Sequence, residues 1–499
     1  MTAVSGSVTV GIDIGTTAVK AVAADENGEV VARSRIPHRL VTPAPDRLEH
    51  DAARAWRRGP LQALAEVAAT GTDVAGVCVA SMVPSLTVVD KRGMPRAPGL
   101  LYGDVRGRRG AGNASDGADS PGGGEHGGVV APDADAAVAL ESSMPDAEGF
   151  IRWAVREAPN AAGYWPAQAV ANFALGRVPA VDTGMALCLG SLRSGNGWDG
   201  QVLARFGVTE SQLPVVVPMG TGAGTVTGTD AVLAGGTIDA LCDQIVSGAE
   251  HTGDVLVICG ATLIVWAVTD EWLEAPGLWT VPHTVAGKVL VGGPSNAGAL
   301  FVDWARALLR GGFRRAPRAR HGTNGGSGGM RARRGTDEPE QPRTGDPGSV
   351  PVWTPYLRGE RAPFHDTSLR AGIHGLDITH DAAAVERAAY EASGFVVRHM
   401  LDRAGIAGRR IVASGGGTRV VPWMQAMADA TGLPVDVVAV HEGAALGAAF
   451  IARLAAGLEE SLDGASRWAG VGRRIEPDER WRTAAAERYA RFVELSPDN

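Results

Sequence analysis

Cysteine is scarce. The 499 residues contain four (Cys78, Cys188, Cys242 and Cys259), with no C-x-x-C pair and no histidine at ligand spacing. That excludes a disulfide framework and a zinc cluster. Long apolar runs are missing too: no stretch reaches the roughly 18 uncharged residues of a membrane span. The opening residues, MTAVSGSVTVGIDIGTT, lack the basic start and small-residue cleavage site of a secretory leader. A cytoplasmic protein with no membrane partner is expected. There is no basic excess either. With 47 Lys+Arg against 55 Asp+Glu the net charge is −8, so nucleic acid is not an expected partner. Finally, no G-x-x-x-x-G-K-[ST] run occurs, so a nucleotide would have to be held by something other than a P-loop.

Glycine, by contrast, is abundant: 68 residues, about 14% against the usual roughly 7%. Part of the excess lies in residues 107–133 and 313–350, which lack hydrophobic periodicity and are rich in Gly, Arg, Asp and Pro. Such segments bury too little apolar surface to offset ordering entropy, and disordered surface insertions are expected. The arginines of the second read as solvated charge. Elsewhere, 45% hydrophobic residues over this length exceed what one core serves, and two domains are expected.

Outside the inserts, β-rich runs alternate with helical patterns, which predicts α/β architecture. VTVGIDI, VKAVAA and EVVARSRI read as consecutive strands, and residues 51–69 as a helix restarted at Pro60. VAGVCVASM reads as a buried strand. GDVLVICGAT repeats the theme of GIDIGTT, a strand ending in a small-residue turn, and suggests two related halves facing each other.

Three turns carry chemistry. In Gly11-Ile12-Asp13-Ile14-Gly15-Thr16-Thr17, followed by Lys20, a strand delivers a carboxylate into a turn of backbone N–H groups and hydroxyls. Such a turn suits a phosphate chain, and the carboxylate a hydrated Mg²⁺. Gly260-Ala261-Thr262 after DVLVIC could hold phosphates from the other side. Gly415-Gly416-Gly417 ends the strand IVAS, where glycine permits close approach of a base or ribose.

In order and spacing, GIDIGTTAVK, LYGDVRG, GGTIDALCDQIVSGAEHTGDVLVICGAT, PYLRGERAPFHD and ASGGGTRVVPWMQAMADATGLPV with HEGAALGAAFIA resemble the FGGY family of carbohydrate kinases, most of all xylulose kinases. The resemblance implies two ribonuclease-H-like, actin-type α/β domains around a cleft. Residues 1–246 would be mainly sugar-binding and 247–499 mainly ATP-binding. It implies an ATP- and Mg²⁺-dependent phosphorylation of a hydroxyl of a small sugar, ketose or polyol, in a chain that could form a homodimer. Asp239 matches the general base. Asp243, one helical turn on, rivals it on chemistry alone. Asp13 would hold Mg²⁺. Gly15, Thr16, Thr17 and Lys20 resemble the first phosphate site, Gly260, Ala261 and Thr262 the second, and Gly415, Gly416 and Gly417 the nucleotide turn. Ser81, Met82, Asp104 and Arg106 fall on the sugar side, together with Asp239.

Departures from the pattern concern the sugar. Ala80-Ser81-Met82-Val83-Pro84-Ser85 stands where a xylulose kinase has Gln-Met-His-Gly, and Tyr102 and Gly103 replace a Trp and an Asn before Asp104. Ala261 lacks a hydroxyl that the second loop commonly has. Glycerol is disfavoured by the missing Asn-Gln-Arg-Glu run. Ribulose, gluconate or a tetritol are rival acceptors. The different-class alternative is a degenerate regulator that senses sugar and nucleotide, against which the retained Asp13, Asp104 and Asp239 argue. Trp153, Tyr164, Trp165 and Asn172 read as core.

Overall fold

A computed structural model describes residues 7–44, 46–108, 146–195, 197–310 and 346–497. The expected insertions at 107–133 and 313–350 lie almost entirely outside these residues. Two seven-stranded sheets form the frame. The first holds β1 (Val8–Ile14), β2 (Ala18–Ala24), β3 (Val30–Pro37), β4 (Val74–Ser81), β5 (Val232–Ala234) and β6 (Thr237–Ile238), with α1 (Gly59–Ala68), α2 (Ala167–Gly176) and α3 (Asp239–Ile245) packed around it. The second holds β7 (Asp254–Cys259), β8 (Leu263–Thr269), β9 (Val289–Ser295), β10 (Arg410–Ser414) and β11 (Val435–Val438). Around it lie α4 (Ala299–Leu309), α5 (Ala382–Ala404), α6 (Val421–Thr431) and α8 (Glu479–Glu494), whereas α7 (Gly443–Ala455) leaves this half for the first sheet.

The halves repeat one topology. β1, β2 and β3 form an antiparallel meander, and β4 pairs parallel to β1 on its other side. β7, β8 and β9 do the same with β10. The echo between GIDIGTT and GDVLVICGAT is therefore structural. Every residue of β1 and of β7 is buried, as expected of central strands covered on both faces.

The cover of β1 comes from far along the chain. Thr9 Oγ1 donates to the Ala449 carbonyl in α7 at 2.8 Å. A Cβ on Gly11 would lie 1.8 Å from the Ala445 carbonyl oxygen, so the helix backbone rests directly on the strand. The Ala-rich face of GAALGAAFIARLA makes this approach possible, since larger side chains would hold the two apart. Helix α7 also packs on α3, and this helix pair, with Cys78, Cys242, Phe450 and Trp468, forms a shared core between the halves.

Strand register sets the position of the site. Ile14 pairs with Ser81, and Ser81 with Ile238, so three parallel strands end level and release Gly15, Met82 and Asp239 along one edge. In the second sheet Ile258 pairs with Ser414, which places Gly260 and Gly415 at the corresponding edge. Carboxyl ends of strands where the chain changes direction are where open α/β sheets bind ligands.

Candidate active site

The first turn is held from beneath. Asp13 is buried, and Lys20, its register partner across the hairpin, places Nζ 3.0 Å from Oδ2. The negative field of Asp13 outweighs burial and raises the Lys20 pKa, which keeps the ammonium charged. Behind the turn, the Trp56 indole N–H donates to His50 Nδ1 at 3.0 Å. Indole nitrogen is a donor only, so His50 Nδ1 must accept and Nε2 must carry the proton. That proton goes to the Thr16 carbonyl at 2.8 Å. Burial, reinforced by neighbouring His38, lowers the His50 pKa to about 4, consistent with the neutral ring this tautomer requires. The Thr16 hydroxyl meets the Tyr102 hydroxyl at 3.2 Å.

Asp239 stands where β6 passes into α3, partly exposed, with Oδ1 accepting from the Ala240 N–H at 2.8 Å. Burial, then the charge of Asp13, push its pKa up to about 6, with Lys20 pulling the other way. Asp243 is placed differently. Its Oδ1 accepts from the Ser414 hydroxyl at 2.5 Å, it is buried, and burial pushes its pKa up to about 7. A Cβ on Gly443 would come within 2.1 Å of the same oxygen. Asp243 is thus packed between α3, the end of β10 and the start of α7, whereas Asp239 retains an exposed edge.

On the second sheet, the carbonyls of Gly260 and Ala261 accept from the first amides of α4, Ala299 at 2.9 Å and Leu300 at 3.1 Å. Thr262 is buried. The loop is therefore fixed through its carbonyl side by a helix terminus. The three glycines at 415–417 divide in role. Gly415, at φ 90°, and Gly417 lie so close to Cys259 that a Cβ would meet its carbonyl oxygen at 2.9 and 2.8 Å. Gly416 is exposed and has open space around its Cβ position. Of the three, Gly416 is the exposed one, Gly415 is half-buried and Gly417 is buried. Thr418 Oγ1 pairs with His441 Nδ1 at 2.8 Å, joining this turn to the residue before Glu442.

The residues expected on the sugar side are tightly tied. Both oxygens of fully buried Asp104 are used: Oδ1 accepts from the Arg106 N–H and Nε at 2.9 and 2.8 Å, Oδ2 from the Leu48 N–H and Arg106 Nη2, each at 2.7 Å. Arg106 also pairs with Glu49 at 2.7 Å and lies over the Trp153 ring at 5.1 Å. The pair is a braced wall and not a free hook for a hydroxyl. Ser81 Oγ donates to the Ile14 carbonyl at 3.2 Å, and Met82 is buried beside it. Trp153, Tyr164, Trp165 and Asn172 are buried as expected, but Tyr164 and Trp165 lie in a short strand, Gly163–Trp165, so the helical pattern read across this segment is broken there. Sequence reasoning missed Gln168, whose amide donates to the carbonyls of Ser81 and Thr237 at 3.1 and 2.9 Å and so ties together the two strand ends beside Asp239. It also missed His50 and Trp56. A buried amide or imidazole has no short-range sequence signal; only its distant partners identify it.

Comparison with known proteins agrees with this fold. The N-terminal domain of the FGGY family of carbohydrate kinases matches residues 8–113, and its C-terminal domain matches residues 255–456. A xylulose kinase of Staphylococcus xylosus is 22% identical over 89% of this chain and 90% of its own. A glycerol kinase of Renibacterium salmoninarum is 25% identical over 96% and 94%. Among solved structures, a xylulose kinase from Rhodospirillum rubrum superposes with a TM-score of 0.70 at 24% identity, covering 98% of both chains. With both domain descriptions matched in order across the two related sheets, the chain belongs to the FGGY family of carbohydrate kinases.

Proposed function

We propose that this carbohydrate kinase uses Asp239 to take the proton from a hydroxyl of a small, uncharged ketose or polyol as that oxygen attacks the γ-phosphorus of ATP. The new O–P bond forms as the bond from the γ-phosphorus to the β,γ-bridging oxygen breaks, and ADP leaves. The observation that carries the reading is the position of Asp239: partly exposed, at the same strand edge as the Asp13 turn, with its pKa raised to about 6 by burial and by Asp13. A carboxylate so placed is ionised at neutral pH yet basic enough to accept a proton. Asp243, already engaged by Ser414, is assigned the structural role of joining the halves.

Thr16, Thr17 and Lys20 are assigned to the phosphates from the first half, with Gly260, Ala261, Thr262 and Gly416 on the second. Among the described residues no cluster of three His, Cys, Asp or Glu side chains makes a closed metal cage. Asp13 offers a single carboxylate, a donor set that suits Mg²⁺ when water and phosphates complete its shell. Bound there, Mg²⁺ would neutralise charge on the phosphate chain. An uncharged acceptor is favoured because the Arg106 charge is more than offset by the two carboxylates of Asp104 and Glu49. Division into a mainly sugar-binding part, 1–246, and a mainly ATP-binding part, 247–499, fits the two sheets. Their closure would keep water from competing for the phosphoryl group.

The test is ADP release from Mg²⁺-ATP across ketoses, polyols and sugar acids, with Asp239→Asn alongside. Turnover with a neutral sugar that disappears in the variant is expected. Full turnover by Asp239→Asn would remove Asp239 as the base, and turnover only with a sugar acid would overturn the acceptor class.

A further inference from the structure

Tyr102 occupies a position where this chain departs from its family's usual tryptophan, and it touches both halves at once. Its hydroxyl lies 3.2 Å from Thr16 Oγ1 in the first phosphate turn. Its ring carries the Arg361 guanidinium at 5.4 Å from the centroid. Arg361 is part of the second half, and its neighbours are anchored there. Glu360 accepts from Ser295 Oγ and the Asn296 N–H, both at 2.8 Å, and the Ala362 N–H donates to the Pro294 carbonyl at 3.0 Å.

We infer that Tyr102 is a positioning residue that couples closure of the cleft to the geometry of the first phosphate turn. The Thr16 carbonyl is already fixed by His50, so the hydroxyl is the part of that residue left to be oriented. A cation over a phenol ring draws density from it and strengthens the phenol O–H as a donor. With Arg361 in place, Tyr102 donates to Thr16 Oγ1, and the threonine's own proton is turned outward toward an anion in the turn. If the halves separate, Arg361 leaves the ring and that preference weakens. A tryptophan would preserve the aromatic face but has no hydroxyl to complete the link. The inference rests on the phosphotransfer reading of the cleft, yet nucleotide binding alone tests it.

Calorimetric titration of the full chain with ATP in the presence of Mg²⁺ provides the test, using Tyr102→Phe, Thr16→Val and the double variant. Loss of one such hydrogen bond weakens ATP binding about three- to tenfold. Tyr102→Phe is expected to show that loss in the parent background and no further loss once Thr16 is valine. In turnover assays it raises KM for ATP and leaves KM for the acceptor unchanged. Equal losses in both backgrounds overturn the inference, as does a rise in acceptor KM alone, which would make Tyr102 a sugar contact. If the parent binds ATP and the Tyr102 variant matches it, the coupling alone falls. A parent that binds no ATP overturns the phosphotransfer reading as well.

Discussion

Individual side chains set the chemistry. Asp239 and Asp243 lie one helical turn apart and share their main pKa perturbation, burial, yet only Asp239 keeps an open edge. Replacing Asp239 by Asn should lower kcat by about 10²- to 10⁴-fold while ATP binding persists, which single-turnover kinetics and calorimetry can check together. The pH profile gives a second test. Asp239, as the proposed base, must be ionised, and with its pKa near 6 kcat/KM for the acceptor should fall as pH drops through about 6; a limb near pH 4 would mean another group. Asp182 permits a stability test at a distance from the chemistry. Fully buried, it caps a short helix by accepting from the Met185 N–H at 2.7 Å, and burial raises its pKa to about 7 against the lowering pull of the Met185 amide and the Thr237 hydroxyl. A raised acid stabilises the fold below its unfolded pKa, about 4, and loses that contribution as pH climbs through its folded value. Asn keeps the cap without the charge. Urea titrations should therefore find the parent most favourable relative to Asp182→Asn at pH 5 and progressively less so up to pH 8.

Among elements, the contact between β1 and α7 is the least forgiving. Gly11→Ala puts a methyl group against helix backbone at 1.8 and 2.4 Å, where no flexible side chain can move aside. A loss of about 3 kcal/mol or more is expected, visible as a lowered urea midpoint. Gly416→Ala is the matching contrast. Its Cβ meets nothing within 4 Å, so stability should hold within about 0.5 kcal/mol. If the nucleotide approaches that turn, ATP affinity should fall nonetheless. Unchanged affinity would remove Gly416 from the nucleotide site.

The molecule as a whole depends on a helix that leaves its own half. Helix α7 follows the second sheet's strands in sequence but covers the first sheet and packs on α3. Expressed alone, residues 1–246 should expose the face of β1 and β4 that α7 covers and should aggregate or bind a hydrophobic dye. Co-expression with 247–499 should restore a soluble complex and any kinase activity. A monomeric, cooperatively folding 1–246 fragment would show that the helix is dispensable.

The strands, the helix restarted at Pro60 and the duplicated turn were legible from the amino-acid order, because hydrophobic period, glycine and proline act over a few residues. That order also singled out Asp13, Asp239 and the glycine turns, which lie in local motifs. Which of these stay accessible depends on packing between distant segments. That packing closed Asp104 in a cage made by Arg106 and the Leu48 amide, and left Gly416 open between two packed glycines. Packing also drew the neighbouring His50 and Trp56, then Tyr102 and Arg361 from two further segments, into a chain of contacts around Thr16. Hydrogen bonds and cation–π contacts of this kind depend on distance in space, which local sequence does not encode.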